Sequence, residues 1–191
     1  MYELPTEIII EGHPYKIRNR GDYRIVLGAF SALEDTELDR KERIISALII
    51  FYEDMNDIED VFALPDLESA VKQMYEFFNG NKPEAAKVMK KLIDWEDDSA
   101  MICAAINSVA KTEIRSLDYL HWWTFLSYYM SVGDSVMSTV VSIRDKMLSG
   151  KKMEKWETEY RRENPQYFMW NRKTADEIDA EEWVKSMWNK E

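Results

Sequence analysis

The chain is predicted to be mainly α: a compact multi-helix domain with a short N-terminal β-hairpin and a C-terminal amphipathic helical extension. Three observations predict this. Hydrophobic residues make up 46% of 191 residues, enough for a packed core rather than a disordered chain. Six Gly and five Pro are too few turn formers for a many-stranded sandwich or barrel. Apolar residues recur at helical spacing almost throughout, and only one segment alternates like a strand. The helical domain is expected over residues 1–150, with the hairpin at 7–18 and the extension at 151–191.

The hairpin comes first. Ile8-Ile9-Ile10 is β-branched, Gly12-His13-Pro14 breaks the chain, and Tyr15-Lys16-Ile17 resumes. Two strands alone are marginal, so they must lie against helices. Asp22 is placed to cap a helix carrying Val26, Ala29, Phe30 and Leu33. Asp39 caps the next, with Ile44, Leu48, Phe51, Tyr52 and Met55 on one side. Asp66 caps a third, with Leu67, Ala70, Val71, Met74, Phe77 and Phe78, ending at Asn79-Gly80. The stretch 82–91 reads as a short connecting helix. Asp97 or Asp98 opens a helix with Ile102, Ala105, Ile106 and Val109 inward, and Ser116 caps a strongly apolar helix from Leu117 to Met130. That helix is apolar nearly all round and is expected to be central and covered. Gly133-Asp134 turns into a helix marked by Val136, Val140, Ile143 and Met147. Two amphipathic pieces follow, 153–163 and 174–189, separated by Asn164-Pro165.

The net charge is −11, which argues against nucleic acid as a partner, because phosphate binding needs a concentrated positive field. No apolar run approaches the roughly 20 residues of a bilayer span, so no membrane association is expected. The N-terminal residues lack a basic region before an apolar stretch, which argues against a signal peptide. The single cysteine, Cys103, lies in an apolar run and fits a small core residue in a reducing cytosol.

Little catalytic chemistry is legible. Asp118-x-x-His121 has the (i, i+3) spacing of helical metal ligands. Dimetal bundles need two such motifs and inward glutamates, and only one occurs, so His121 beside Trp122-Trp123 reads as a core histidine. His13 fits a surface turn. The six glycines are isolated, which excludes a phosphate loop, and Ser127 and Ser131 lack a nucleophile elbow. Paired acids read as caps and wet faces. No cofactor, no metal and no catalytic residue is expected.

Binding surfaces are a different matter. Between Glu34 and Asp60 stand ten acidic and three basic residues, a solubilising face or a dock for a basic partner. Within it, Glu53, Asp54, Asp57, Glu59 and Asp60 are the candidate partner-binding residues. Near the end, Ala180, Trp183, Val184, Met187 and Trp188 form an apolar stripe at helical spacing. It either docks on the parent core or anchors another chain, and Trp183, Met187 and Trp188 are the second set of candidates. Trp122, Trp123 and Phe125 are assigned to the core.

Asp118-Tyr119-Leu120-His121-Trp122-Trp123-Thr124-Phe125 resembles the bacteriophage "gene product fifteen" family. Ile93-Asp94-Trp95-Glu96-Asp97-Asp98 followed by Ile102 and Ala104-Ala105, the pair Ile143-Arg144, and the N-terminal Ile10-Glu11-Gly12, Tyr15-Lys16-Ile17 and Asp22-Tyr23-Arg24 resemble further landmarks. The likeness runs with gaps from about Glu7 to Leu148 and leaves the tryptophan-bearing tail unexplained. It implies a product of a siphophage or prophage tail module, similar in role to tail assembly chaperones. Such a chaperone coats the tape-measure protein, keeps it soluble, helps recruit major tail protein subunits, and is absent from the virion. The resemblance therefore implies a non-catalytic protein in the bacterial cytoplasm, with the tape-measure protein and/or the major tail protein as partner. Oligomeric state and any frameshift link to a neighbouring product stay open. A structural tail or connector protein kept in the virion is the alternative, and a metal-binding helical enzyme at Asp118/His121 the remote one.

Overall fold

The computed structural model describes residues 3–81, 91–169 and 179. They fall into two compact units. The first holds residues 3–81, 118–126 and 179, and the second holds 91–117 and 127–169. Helices dominate, and the one sheet among the described residues is an N-terminal antiparallel pair.

In the first unit, β1 (Glu7–Ile10) pairs with β2 (His13–Lys16), Ile8 opposite Tyr15 and Ile10 opposite His13. Glu11 and Gly12 both have positive φ, as a two-residue type I′ hairpin turn requires. Ile8 and Ile10 are buried while Ile9 faces out, the expected alternation. The hairpin lies against a helix of the same unit, α4 (Leu67–Phe78). After a 3-10 turn at Arg18–Gly21 come α1 (Tyr23–Leu33), α2 (Arg40–Phe51) and α3 (Ile58–Phe62). Three of the expected caps hold. Asp22 accepts from the Arg24 N–H, Asp39 forms a reciprocal capping box with Glu42, and Asp66 accepts from the Ser69 N–H.

The core of this unit is aromatic. Tyr23 stacks on Phe125 at 4.8 Å between centroids, Phe30 meets Phe78 at 4.9 Å, and Phe51 meets both Phe77 and Phe78 at 5.3 Å. Trp122 closes the cluster against Phe125. Gly21 sits beneath it with φ +76°. A Cβ there would stand 2.9 Å from Phe77 Cζ and 3.1 Å from His121 Nε2, so glycine is required for both dihedral and space.

In the second unit, α5 (Ser99–Ala110) packs against α7 (Val136–Ser149), and α8 (Lys155–Glu163) follows. Lys111 and Gly150 end α5 and α7 in left-handed conformation. Ser135 caps α7 with a reciprocal box to Ser138.

Three expectations require correction. The apolar helix begins at Trp122, not Leu117: α6 spans Trp122–Met130, and Ser116 belongs to a separate 3-10 turn. The reason is tertiary. Leu120 N–H donates to Asp22 Oδ2 at 2.9 Å, Tyr23 N–H donates to Leu120 O at 2.9 Å, and Asp22 bridges His121 as a strand would. These bonds hold 120–121 out of the helix despite its propensity. Nor is α6 covered all round, since Met130 is 68% exposed. Finally, Asp98 precedes α5 but gives it no side-chain cap, because its carboxylate turns to Arg144. Most of the expected connecting helix at 82–91 and the amphipathic piece at 174–189 lie outside the described residues, apart from Lys91 and Asp179.

Candidate functional site

The acidic stretch is held by Arg18, from the 3-10 turn, which bonds the carbonyls at and just past the end of α2. Arg18 sends Nε–H to Ile50 O at 3.1 Å, and its Nη2 reaches Ile49 O, Tyr52 O and Met55 O at 2.8–2.9 Å. A cation on the last carbonyls of a helix answers both their unmet bonds and the helix dipole. Tyr52 is fully buried, donates its hydroxyl to Ala70 O at 2.9 Å, and pairs by backbone with Ile17. Burial pushes its phenol well above the ordinary value. Arg18, Tyr52 and the buried Met55 thus pin the chain on either side of Glu53 and Asp54, which face solvent.

Past this point the carboxylates organise α3. Asp57 accepts from the Glu59 and Asp60 N–H groups, and Asp60 accepts from the Asn56 N–H at 2.9 Å. Val61 is buried, while Ile58 and Phe62 are exposed. The five acidic candidates are therefore gathered on one short segment, two of them capping backbone. Sequence reading missed α3 itself, because five residues are too few to show a period. The signal available was Asp57 followed by two acids, an N-terminal helix signature.

Trp183, Met187 and Trp188 lie outside the described residues. Asp179, just ahead of that stripe, is described. Its carboxylate meets the Arg43 guanidinium of α2 at 2.7 Å, and Arg43 is only 2% exposed and also donates to Leu38 O.

Asp118 and His121 do not form a pair of ligands. Asp118 is exposed and lies outside any helix, whereas His121 is buried. His121 Nδ1 accepts from the Trp123 N–H at 3.0 Å, so Nε2 carries the proton and donates to Pro5 O at 3.0 Å. Both nitrogens are thus engaged, and burial lowers the imidazole below its ordinary value. Trp122 and Trp123 donate their indole N–H groups to Phe78 O and Phe77 O, each at 2.9 Å, so two indoles satisfy the last carbonyls of α4. Trp122 and Phe125 are core residues, and Trp123 is half-buried. Cys103 is buried, and desolvation raises its thiol. Among the described residues, no three His, Cys, Asp or Glu side chains converge to hold a metal ion.

The second unit holds a polar cluster that sequence reading noted only as a landmark. Arg144 is 1% exposed. Its five N–H groups go to Asp98 Oδ1 and Oδ2, Leu92 O, and twice to Tyr167 O. Asp98 Oδ2 also accepts from the Asp94 N–H. A guanidinium so fully committed is a structural pin rather than an anion site. Beside it lies an open cleft of about 670 Å³, walled by Met101, Ala104, Val136, Met137, Tyr167 and Met169. Further along α7, Lys146 holds the buried Glu157 carboxylate at 2.6 Å, and that hydrogen bond keeps the carboxyl below its usual range.

The model of one protein family, described as Bacteriophage Gp15 protein, matches residues 2–169. The chain belongs to this family. It is a phage protein, and the match covers every described residue of α1 to α8. No curated protein and no solved structure matches it. Among the described residues of this Gp15-family chain, no helix is long and apolar enough to cross a membrane.

Proposed function

We propose that this Gp15-family protein acts as a tail assembly chaperone, binding the tape-measure protein and/or major tail protein subunits during morphogenesis, without catalysis. Membership of the family over residues 2–169 carries the reading. The geometry is compatible with it. Three polar or reactive side chains among the described residues are committed to structure: both His121 nitrogens are bonded, Cys103 is buried, and Arg144 is pinned. What faces solvent instead is an acidic segment with exposed apolar side chains.

A tape measure is a long helical protein whose apolar seams aggregate when bare. A helical partner with an acidic exterior would cover those seams and keep the complex soluble. Many modest contacts along one filament act through effective concentration, so subunits of the tube can displace them one at a time. Coexpression with the tape-measure protein tests this. The soluble fraction of the tape measure should rise, and purified virions should lack this chain by mass spectrometry. An unchanged soluble fraction would defeat the proposal, and abundant chain in virions would favour a structural tail protein.

A further inference from the structure

The surface around α3 joins two properties. Phe62 is 66% exposed and Ile58 48% exposed, and their i, i+4 spacing puts them on one side of the helix. Leu67, at the start of α4, is 37% exposed. From Glu53 to Val71 there are seven carboxylates and not one Lys or Arg. Among the described residues, none of the seven is ion-paired. Four of them accept from backbone N–H groups: Lys16 for Asp54, Glu59 and Asp60 for Asp57, Asn56 for Asp60, and Ser69 for Asp66. Local capping uses the lone pairs and leaves the charge uncompensated.

We propose that this face docks a basic amphipathic segment of a partner protein. An apolar side chain of the partner sits over Phe62 and Ile58, and its Lys or Arg residues meet Glu53, Asp54, Asp57, Glu59 and Asp60. Charge complementarity selects this occupant. A second copy of the chain would bring a net charge of −11 and the same carboxylates against themselves, and nucleic acid is repelled. Exposed aromatic and aliphatic side chains supply the anchor, the carboxylates the rim and the faster encounter. The segment is already held in place from behind by Arg18, Tyr52, Met55 and Val61, so little ordering is needed on binding. The inference rests on the chaperone reading only for who the partner is.

The test uses the full chain and a labelled Leu/Lys amphipathic peptide of about five helical turns, read by fluorescence anisotropy. Binding should weaken with salt, and a Leu/Glu peptide of the same pattern should not bind. Phe62→Ser should weaken binding about tenfold, as loss of an anchor does, with an unchanged thermal melt because Phe62 is exposed. Ile58→Ser serves as the second variant, with the same expectation. Glu59→Lys should weaken binding and flatten the salt dependence. Asp134→Lys, the same charge change on an exposed turn elsewhere, should alter it less than about twofold. The proposal is overturned if both apolar variants bind normally, or if Asp134→Lys costs as much as Glu59→Lys. Running the variants in the tape-measure coexpression separates the two ideas. A soluble tape measure with Phe62→Ser would sink the patch and spare the chaperone; peptide binding without any solubility effect would do the reverse.

Discussion

Replacing Asp98 by Leu would leave the Arg144 guanidinium in place without its carboxylate. The pair is 5% and 1% exposed, joined through both carboxylate oxygens. The guanidinium would keep its carbonyl partners Leu92 O and Tyr167 O but lose two charge-assisted bonds. Each such bond contributes about 1.5–3 kcal/mol. Removing one partner of a buried pair costs about 3–5 kcal/mol, because the charge left behind cannot be rehydrated. Against a total stability of about 5–15 kcal/mol, that lowers the melting temperature by on the order of 10 °C. Arg144→Met should cost at least as much, since it strands the carboxylate and two carbonyls together. The double variant removes both charges, so its cost should fall short of the summed single costs by about 2 kcal/mol or more. Urea unfolding of the four proteins near neutral pH, followed by circular dichroism, measures the cycle. Single costs below about 1 kcal/mol, or additivity within about 0.5 kcal/mol, would refute the view that this pair pins the second unit.

Gly21→Ala should destabilise by about 3 kcal/mol, from a left-handed φ and a methyl forced between Phe77 and His121; a melt within a degree of the parent would contradict this. His121 gives a pH dependence. Its folded value lies below the ordinary 6.5, chiefly through desolvation, so the unfolded chain takes up a proton that the folded one refuses. Its contribution is whole above 6.5 and is lost as the pH falls from there through the lowered value; His121→Gln should flatten that slope, and an unaltered slope in urea titrations would remove His121 as its source. Arg18→Met should strip four carbonyls at and just past the end of α2, cost about 2 kcal/mol, and speed amide exchange from Tyr52 to Val61. Unchanged exchange there would mean that the acidic segment is held by other means.

Much of the fold could be read because its causes are local. Asp22, Asp39 and Asp66 cap helices by bonds that span two or three residues, and Ile8 and Ile10 alternate with Ile9 in a strand of four. What could not be read was settled by partners far away in sequence. The start of α6 moved from Leu117 to Trp122 because Asp22, about a hundred residues earlier, bonds the backbone at Leu120. Asp98 looked like a cap and serves Arg144 instead, and nothing in its neighbourhood signals a cation 46 residues on. The acidic candidates were legible as composition. Their setting was not, because Ile58 and Phe62 look like core residues until Val61 is seen to take the buried position.

The segment that carries the family likeness is itself informative about where function lies. Leu120 is buried and tied to Asp22, His121 spends both nitrogens on Pro5 and Trp123, and the indoles of Trp122 and Trp123 close the end of α4. Each of these four residues answers a backbone or packing demand that a substitute of another type would leave unmet: an unpaired buried carbonyl alone costs about 1–3 kcal/mol. A signature built this way identifies a fold, and its chemistry is exhausted by holding that fold together. On the proposed function, recognition falls to side chains with nothing structural left to do. In the described part of the first unit, Phe62, Ile58 and the carboxylates of Glu53, Glu59 and Glu68 fit that description, because they face solvent and removing any of them leaves the core intact while changing what the surface can hold.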